Sequence, residues 1–265
     1  MKDTVLGNIH TIVQRLQRKP HLKPSTETNA LFGSLVNTVQ IYDKDDFANV
    51  IVHYDLHCLA NDTQCMCSAG EYELELWWSK QIIHSIQPQQ TLKAFPYLNN
   101  YQKLVALEAS LLNLSHKPAK TLFIGAGPLP LSAIVLAQDY GWEVTCLDKD
   151  PLAYEYSNQV ISKLDLKTHL TPCKNDVMKC TDFNQYQVII LGGLVGTNSE
   201  EKLTILNHIY SRAVSGTKVV VRSSHGLREL LYPSIAIDQI KNWQIEKVVH
   251  PKNDLINSLI VLCKP

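Results

Sequence analysis

The sequence predicts an α/β protein with a helical amino-terminal lobe followed by a mostly parallel sheet, and three observations lead to this fold class. Before Lys120, apolar residues recur at helical spacing. After it, short apolar runs alternate with helical segments, which is the pattern of βαβ units. The last two strand-like runs lie too close together for a crossover helix. We expect a helical domain at residues 1–117 and a sheet domain at residues 118–265.

The helical lobe is predicted from two amphipathic segments. Residues 31–39, LFGSLVNTV, and residues 101–114 both repeat apolar side chains every three or four positions. The amino terminus, residues 1–24, shows the same spacing interrupted by polar residues, so it is not a signal-peptide apolar run. The HKPAK segment, residues 116–120, is the expected boundary between the two lobes.

The sheet is predicted from apolar runs bounded by turn residues. Four of them read as buried parallel strands: TLFIG, EVTCLD, QVIILGG and KVVVRSS. Residues 243–250, WQIEKVVH, and residues 258–263, SLIVLC, are also strand-like, and only the turn-rich PKNDLIN separates them. These two runs therefore predict a terminal antiparallel hairpin.

Composition limits the classes of partner and the compartment. The 265 residues include 25 basic and 25 acidic side chains. The formal net charge is therefore zero, and it does not attract the protein to nucleic acid or to an anionic membrane. Small-molecule substrates are expected instead, and no apolar stretch is long enough to span a bilayer. Seven scattered cysteines in a chain able to form its own core predict a reduced, cytoplasmic protein. The oligomeric state is left open.

A glycine-rich turn marks the predicted nucleotide site. FIGAGPLP, residues 123–130, follows the first strand and opens a helix, where Gly125 and Gly127 permit close approach of a ligand to the backbone. The dinucleotide pattern G-x-G-x-x-G is not completed, because Pro130 stands at its last position. This departure favours a cofactor without a pyrophosphate.

Three aspartates near the carboxyl ends of strands are candidates for nucleoside contacts. Asp148 ends the second strand, 21 residues after Gly127, where a carboxylate can accept hydrogen bonds from ribose hydroxyls. Asp150 is the alternative for that role, and Asp176 follows the third strand, close to where an adenine amino group would lie. Each aspartate could equally be a helix cap or a turn residue.

Several longer segments resemble the nicotianamine synthase family, in the same order and at similar spacing. They are FPYLNNYQKLVALE (95–108), GPLPLSAIVLA (127–137), LGGLVG (191–196), RSSHGLRELLYP (222–233) and HPKNDLINSLIV (250–261). The resemblance runs from about residue 31 to the carboxyl terminus. It implies a helical lobe over a Rossmann-like, S-adenosylmethionine-dependent transferase sheet.

The resemblance also implies an activity. Enzymes of this family transfer the 3-amino-3-carboxypropyl (aminobutyrate) arm of S-adenosylmethionine to an amine and release methylthioadenosine. Plant and archaeal members condense three molecules to make the metallophore nicotianamine, whereas related bacterial opine-metallophore enzymes transfer one arm to histidine. S-adenosylmethionine is then the substrate, and no metal is expected because the sulfonium already supplies the activation. The motifs here are more similar to the plant type.

The reaction implied by the family needs a general base. An amine is protonated at neutral pH and must lose a proton before it attacks a carbon of the sulfonium. Glu75, in GEYELELWWSK, matches the catalytic glutamate of the family, and Tyr101 matches a tyrosine beside the reacting amine. Glu71 and Glu73 are the alternatives for the base.

The remaining candidates lie near the carboxyl edge of the predicted sheet. Arg222 could bind a substrate carboxylate with its guanidinium fork, and His225 ends the same strand. Tyr232 and Asn257 match family positions and are candidates for substrate binding, although both, like His225, could be structural. Leu194, in LGGLVG, is the last candidate for cofactor binding.

Other readings remain open. His53, His57, Cys58, Cys65 and Cys67 contain ligand types that bind metals, but their spacing matches no established zinc pattern, so no metal site is predicted. Methyl transfer is an alternative reaction, because the same sheet and loop serve it. A protein that binds S-adenosylmethionine without turnover is a second alternative, which a positioned base disfavours.

Overall fold

The computed structural model describes residues 2–42, 56–114, 119–252 and 254–265. Within these ranges, five α-helices precede the sheet: α1 Lys2–Gln17, α2 Thr26–Tyr42, α3 His57–His84, α4 Pro88–Lys93 and α5 Leu98–Leu111. The predicted helical lobe is therefore present. None of the helices in the described ranges is long and apolar enough to cross a membrane.

The sheet contains seven strands and three connecting helices in the described chain. The strands are β1 Lys120–Ile124, β2 Glu143–Asp148, β3 Leu170–Lys174, β4 Val188–Leu191, β5 Lys218–Ser223, β6 Gln244–Val249 and β7 Ser258–Cys263. The helices are α6 Leu131–Tyr140, α7 Pro151–Lys163 and α8 Ser199–Tyr210. The α/β prediction is confirmed.

Strand order explains where a ligand can bind. The order is β3-β2-β1-β4-β5-β7-β6, with β1 to β5 parallel. β7 lies antiparallel between β5 and β6, so the predicted terminal antiparallel pair is confirmed. From β1 the chain adds β2 and β3 on one side, and it then places β4 on the other side of β1, so a switch point lies between β1 and β4. Open α/β sheets bind ligands at the carboxyl ends of the strands at such a switch point.

The apolar core continues from the sheet into the helical lobe. Leu104 and Ala109 of α5 belong to the same buried cluster as Phe123 of β1 and Ile134 of α6. This packing removes apolar surface of both lobes from water, which is the main driving force for their association. Residues 115–118, where the predicted domain boundary falls, lie outside the described residues, and the division at residue 117 stays a prediction.

Helix α3 places two glutamates, Glu71 and Glu75, at the carboxyl edge of the sheet. It has 28 residues, and Glu71 and Glu75 lie four positions apart on one face. The buried hydroxyl of Ser79 donates to the Pro128 carbonyl at 2.9 Å. This contact fixes α3 against the glycine turn that follows β1.

Candidate active site

The glycine turn between β1 and α6 has a backbone that favours glycine at two positions. Gly125 has φ +78° and Gly127 has φ +70°, in the left-handed region that side chains disfavour. A Cβ atom on Gly125 would lie 2.2 Å from Cγ2 of Val195, and one on Gly127 would lie 2.3 Å from Oε2 of Glu75. A side chain at Gly125 would therefore have to displace Val195, and one at Gly127 would have to displace the carboxyl group of Glu75.

A cavity of about 1270 Å³ opens at this turn and extends between the sheet edge and the helical lobe. Every predicted nucleoside-binding residue except Asp150 lines it: Gly125, Gly127, Asp148, Asp176 and Leu194. Asn257 also lines the cavity, and its amide nitrogen Nδ2 is buried without a hydrogen-bond partner among the described residues. A buried donor without a partner fits a ligand acceptor at this point.

Asp148 and Asp150 shape the backbone around the cavity. Oδ2 of Asp148 accepts the Gly127 N–H at 2.8 Å, and its Oδ1 accepts the Asp150 N–H at 3.0 Å. Asp150 caps α7 by accepting the Leu152 N–H at 3.0 Å, and it also accepts the hydroxyl of Tyr72. Asp150 is not among the described residues that line the cavity. The structure therefore shows a capping role for Asp150, and its contact with a ribose stays a prediction.

Asp176 combines a structural contact with a place in the cavity wall. Its Oδ1 accepts the Met178 N–H at 3.0 Å and caps the short 3₁₀ turn Val177–Lys179. The cap holds Asp176 and Met178 at the carboxyl end of β3, where both line the cavity. Capping and ligand binding, which the sequence left as alternatives, are compatible at this residue.

Two phenols converge on one carboxylate in the cavity wall. The Tyr101 hydroxyl donates to Oε1 of Glu71 at 3.0 Å, and the Tyr232 hydroxyl donates to Oε2 at 2.8 Å. The sequence placed Glu71 only as an alternative to Glu75 and did not reveal its partners. The spacing of four residues between the two glutamates was the available signal, because it places both on one helical face.

Glu75 lies one turn further along α3, against the glycine turn. Burial raises its pKa well above the ordinary range, and the nearby charge of Glu71 adds to the rise. A hydrogen bond from the Leu129 backbone N–H has the opposite effect. A carboxylate that is desolvated and faces another acid holds a proton more tightly than one in water.

Arg222 lines the cavity, but its guanidinium fork is already paired with a carboxylate of the helical lobe. Its Nε donates to Oε1 of Glu108 at 2.7 Å, and its Nη2 donates to Oε2 of Glu108 at 3.0 Å and to Ser132 Oγ at 2.9 Å. Glu108 and Arg222 are both buried. In the structure the carboxylate bound by this fork therefore comes from α5 of the helical lobe, and contact of Arg222 with a substrate carboxylate stays a prediction.

His225 lies outside the described cavity lining. It is exposed, and its ring stacks on that of His250 with centroids 4.2 Å apart. The Nδ1 atom of His250 is 2.8 Å from Ser258 Oγ. This position does not support the predicted substrate contact of His225, which stays a prediction, whereas Tyr232 and Asn257 line the cavity.

Lys202 of α8 was not singled out from the sequence, yet it anchors a wall of the cavity. Its buried Nζ donates to the Gly193 carbonyl at 2.9 Å and to the Val195 carbonyl at 2.8 Å. Burial lowers the pKa of this ammonium to about 7. The two bonds hold the loop that follows β4, which includes the predicted residue Leu194.

The sulfur and imidazole groups considered as metal ligands do not form a site in the described chain. Cys58 and Cys65 are exposed on α3, and Cys67 is half-buried in the cavity wall. His53 lies outside the described residues. Among the described residues, no group of three or more His, Cys, Asp or Glu side chains is placed to hold a metal ion.

Fold and site together define a class: a protein with a Rossmann-like sheet and a ligand cavity at the carboxyl edge of that sheet, lined by acids and phenols. A family model described as "Nicotianamine synthase protein" matches residues 1–265. Nicotianamine synthase 1 of Arabidopsis thaliana is 32% identical over 271 residues, which cover 98% of this chain and 84% of that protein. The chain belongs to the nicotianamine synthase family.

Solved structures agree on the fold over nearly the whole chain. MtNAS in complex with MTA and tNA has a TM-score of 0.83, 22% identity and 97% coverage of both chains. A glutamate-to-glutamine variant of MtNAS with S-adenosylmethionine has a TM-score of 0.82 and 21% identity, with 98% of this chain and 97% of that chain covered. The predicted family, fold and class of enzyme are thereby confirmed.

Proposed function

We propose that this protein makes nicotianamine from three molecules of S-adenosylmethionine, by transferring the 3-amino-3-carboxypropyl group of one molecule to the amine of the next and closing one arm to an azetidine ring, with release of three molecules of methylthioadenosine. One observation carries the proposal. A single cavity of about 1270 Å³ joins the glycine turn to a carboxylate and phenol cluster and then continues into the helical lobe. Donor and acceptor can therefore meet beside the acids.

The proposed step is a displacement at the carbon that joins the aminobutyrate arm to sulfur. The acceptor ammonium first loses a proton, and its nitrogen lone pair then forms the new N–C bond. The C–S bond breaks, and its electron pair stays on sulfur in methylthioadenosine. We assign the proton to Glu75, whose raised pKa makes its carboxylate a stronger base than one in water. The Tyr101 oxygen orients the amine.

We propose that the nucleoside of S-adenosylmethionine binds at the glycine turn. Asp148 and Asp176 line the cavity at the ends of β2 and β3, and Leu194 lines it from the loop after β4. Because Gly125 and Gly127 lack side chains, the ligand can approach the backbone closely. We assign Asn257, with its unpaired Nδ2, to a carboxylate of the substrate.

The shape of the cavity favours a growing chain over one transfer to histidine. Beyond the acids, polar side chains from α2 and α5 and one ring continue the wall: Thr28, Asn29, Phe32, Gln40 and Asn100. This extension offers hydrogen-bond partners for a second and third amino acid unit. We therefore assign S-adenosylmethionine, and not histidine, as the source of the acceptor.

The test is mass spectrometry of the products formed from S-adenosylmethionine alone and with D- or L-histidine. We expect methylthioadenosine and nicotianamine without histidine, and strong loss of both in Glu75→Gln. Glu73→Gln is the matched control, because Glu73 lies on α3 but not among the described cavity-lining residues. Dependence on histidine would select single transfer, and S-adenosylhomocysteine in place of methylthioadenosine would indicate methyl transfer.

A cytoplasmic location and small-molecule partners are part of the same proposal. All seven cysteines are free, which is usual for proteins kept in a reducing compartment. The formal net charge is zero, so electrostatics do not favour nucleic acid or an anionic membrane as a partner. Detection of the protein in the soluble fraction of lysed cells, at low and high salt alike, tests both points.

A further inference from the structure

The phenols of Tyr101 and Tyr232 have a fixed hydrogen-bond polarity. A phenol carries one hydrogen and can also accept. Both hydrogens are committed, since Tyr101 donates to Oε1 of Glu71 and Tyr232 donates to Oε2 of the same carboxylate. Both tyrosines line the cavity. Each phenol oxygen therefore has only lone pairs to offer a ligand.

This arrangement requires the anionic form of Glu71. A neutral carboxyl group would have to donate through one of its oxygens, and one phenol would then turn its own hydrogen elsewhere. Burial raises the pKa of Glu71, while the hydrogen bonds from Tyr232 and Tyr101 and the charge of Arg222 oppose that rise. Arg222 is itself held in place by Glu108. The guanidinium held by this ion pair thus favours the anionic form of Glu71.

A hydrogen-bond donor lies near the ring of Tyr232 in the same cavity wall. The position that a Cβ atom would occupy on Gly193 is 2.9 Å from Asn257 Nδ2 and 3.2 Å from Cδ1 of Tyr232. The unpaired amide of Asn257 and the ring of Tyr232 therefore flank the same backbone position. An amino acid carries one donor group, its ammonium, and one acceptor group, its carboxylate, so this wall offers complementary partners to its two ends.

We infer that Glu71 is a positioning residue that turns Tyr101 and Tyr232 into a pair of hydrogen-bond acceptors, and that this pair selects the ammonium or amine of the acceptor. The inference rests on the proposed function and deepens it by naming the two phenols that accept hydrogen bonds from the amine of the acceptor. A carboxylate has only acceptors at neutral pH and finds no donor on these phenols. The pair therefore sets which end of an amino acid unit faces the reacting carbon.

Glu71→Gln tests the inference with little change of shape. The glutamine amide has one acceptor and one donor group, so it makes one phenol accept and leaves that phenol's hydrogen free to point into the cavity. Calorimetric titration of the full chain uses two probes, nicotianamine and methylthioadenosine. We expect the affinity for nicotianamine to fall about tenfold or more and that for methylthioadenosine to stay within about twofold, since its nucleoside seat is unchanged.

Two further variants make the result decisive. Tyr232→Phe removes one acceptor while keeping Glu71, so it should lower nicotianamine affinity in the same selective way, and it serves if Glu71→Gln does not fold. Glu73→Gln should change neither affinity. Glu71→Gln and Tyr232→Phe should also lower kcat more than they raise the KM for S-adenosylmethionine.

The failure of each proposal is distinguishable. Wild-type protein that does not bind nicotianamine would overturn both the proposed function and this inference. Wild-type binding that Glu71→Gln or Tyr232→Phe retains would overturn only the positioning role. An equal loss of affinity for both probes would also overturn it, because that pattern indicates a general collapse of the cavity.

Discussion

Glu71 and Glu75 are two carboxylates of one helix with different surroundings. Glu71 accepts hydrogen bonds from two phenols and interacts with the charge of Arg222. Glu75 lies against the glycine turn and accepts a hydrogen bond from the backbone N–H of Leu129. The pKa of both is raised by burial, and that of Glu75 more so. Environments that separate two acids in this way assign different roles to them.

At this scale we predict that Glu75→Gln makes the protein more heat-stable at high pH. The pKa of Glu75 is higher in the folded than in the unfolded chain, so the wild type loses stability as pH rises above about 4.5 through the folded-state value. Glutamine does not titrate and avoids this loss. Thermal denaturation should give a Tm gain of a few degrees at pH 8, at about 2–4 °C per kcal/mol, that shrinks toward pH 5.

The comparison needs Glu73→Gln measured over the same pH range. Its Tm should follow the wild-type curve. Parallel curves for wild type and Glu75→Gln would show that the carboxylate at position 75 does not carry a burial penalty in the folded protein, and would remove the physical basis for its role as a strong base.

At the scale of elements, one turn and one loop form the wall of the cavity next to the sheet. The turn between β1 and α6 is held by Asp148 at the end of β2, and the loop after β4 is held by Lys202 of α8. Neither loop makes regular sheet bonds at these points, so side chains of neighbouring elements satisfy its backbone groups. The geometry of the site therefore depends on these two contacts.

We predict that Gly127→Ala lowers activity strongly, whereas Gly141→Ala does not. Both glycines have positive φ, so alanine should cost each variant about 1 kcal/mol of folding free energy. Only at position 127 does the new Cβ lie 2.3 Å from Glu75; at position 141 it meets nothing within 4 Å. Displacing the base should lower kcat about 100-fold, with turnover within about twofold of wild type for Gly141→Ala. Equal activity of the two would contradict the close contact.

Lys202→Met should weaken substrate binding while leaving the chemistry largely intact. The variant removes two hydrogen bonds to the carbonyls of Gly193 and Val195, each worth about 1 kcal/mol, and so loosens one wall of the cavity. Steady-state kinetics should show a KM for S-adenosylmethionine about fivefold to tenfold higher, with kcat within about threefold. Lys163→Met, at an exposed position of α7, should leave both constants unchanged; an unchanged KM in Lys202→Met would exclude the anchoring role.

At the scale of the whole molecule, a buried ion pair joins the two lobes. Glu108 comes from α5 and Arg222 from β5, and the guanidinium also contacts Ser132 of α6 and lies 5.1 Å from the ring centre of Phe123. A second pair, Lys103 with Asp254 at 2.6 Å, links α5 to the segment before β7, but its side chains are 46% and 48% exposed. Water screens the second pair far more than the first.

We predict that Glu108→Gln destabilises the protein strongly and Asp254→Asn hardly at all. The first leaves a buried guanidinium without its counter-charge, at a cost of about 3 kcal/mol or more, while an exposed pair contributes under about 1 kcal/mol. At about 2–4 °C per kcal/mol, Glu108→Gln should lower the Tm by about 6–12 °C and Asp254→Asn by less than about 4 °C. Similar shifts in the two variants would contradict the difference in burial.

The sequence alone was enough for the architecture and for the glycine turn that follows β1. Apolar periodicity and turn residues act between near neighbours, so the βαβ series, the terminal antiparallel pair and the helices before Lys120 follow from local patterns. The turn at Gly125 and Gly127 was readable for the same reason, because its backbone conformation depends on the residues within it.

Only the tertiary structure decided which groups meet. Glu71 bonds Tyr101 across 30 residues and Tyr232 across 161, and Arg222 finds Glu108 across 114. Such partners are chosen by how whole helices pack on the sheet, and no local pattern encodes that choice. For this reason the position of Arg222 and His225 near the end of one strand did not reveal their neighbours, which are Glu108 of α5 for Arg222 and the ring of His250 for His225.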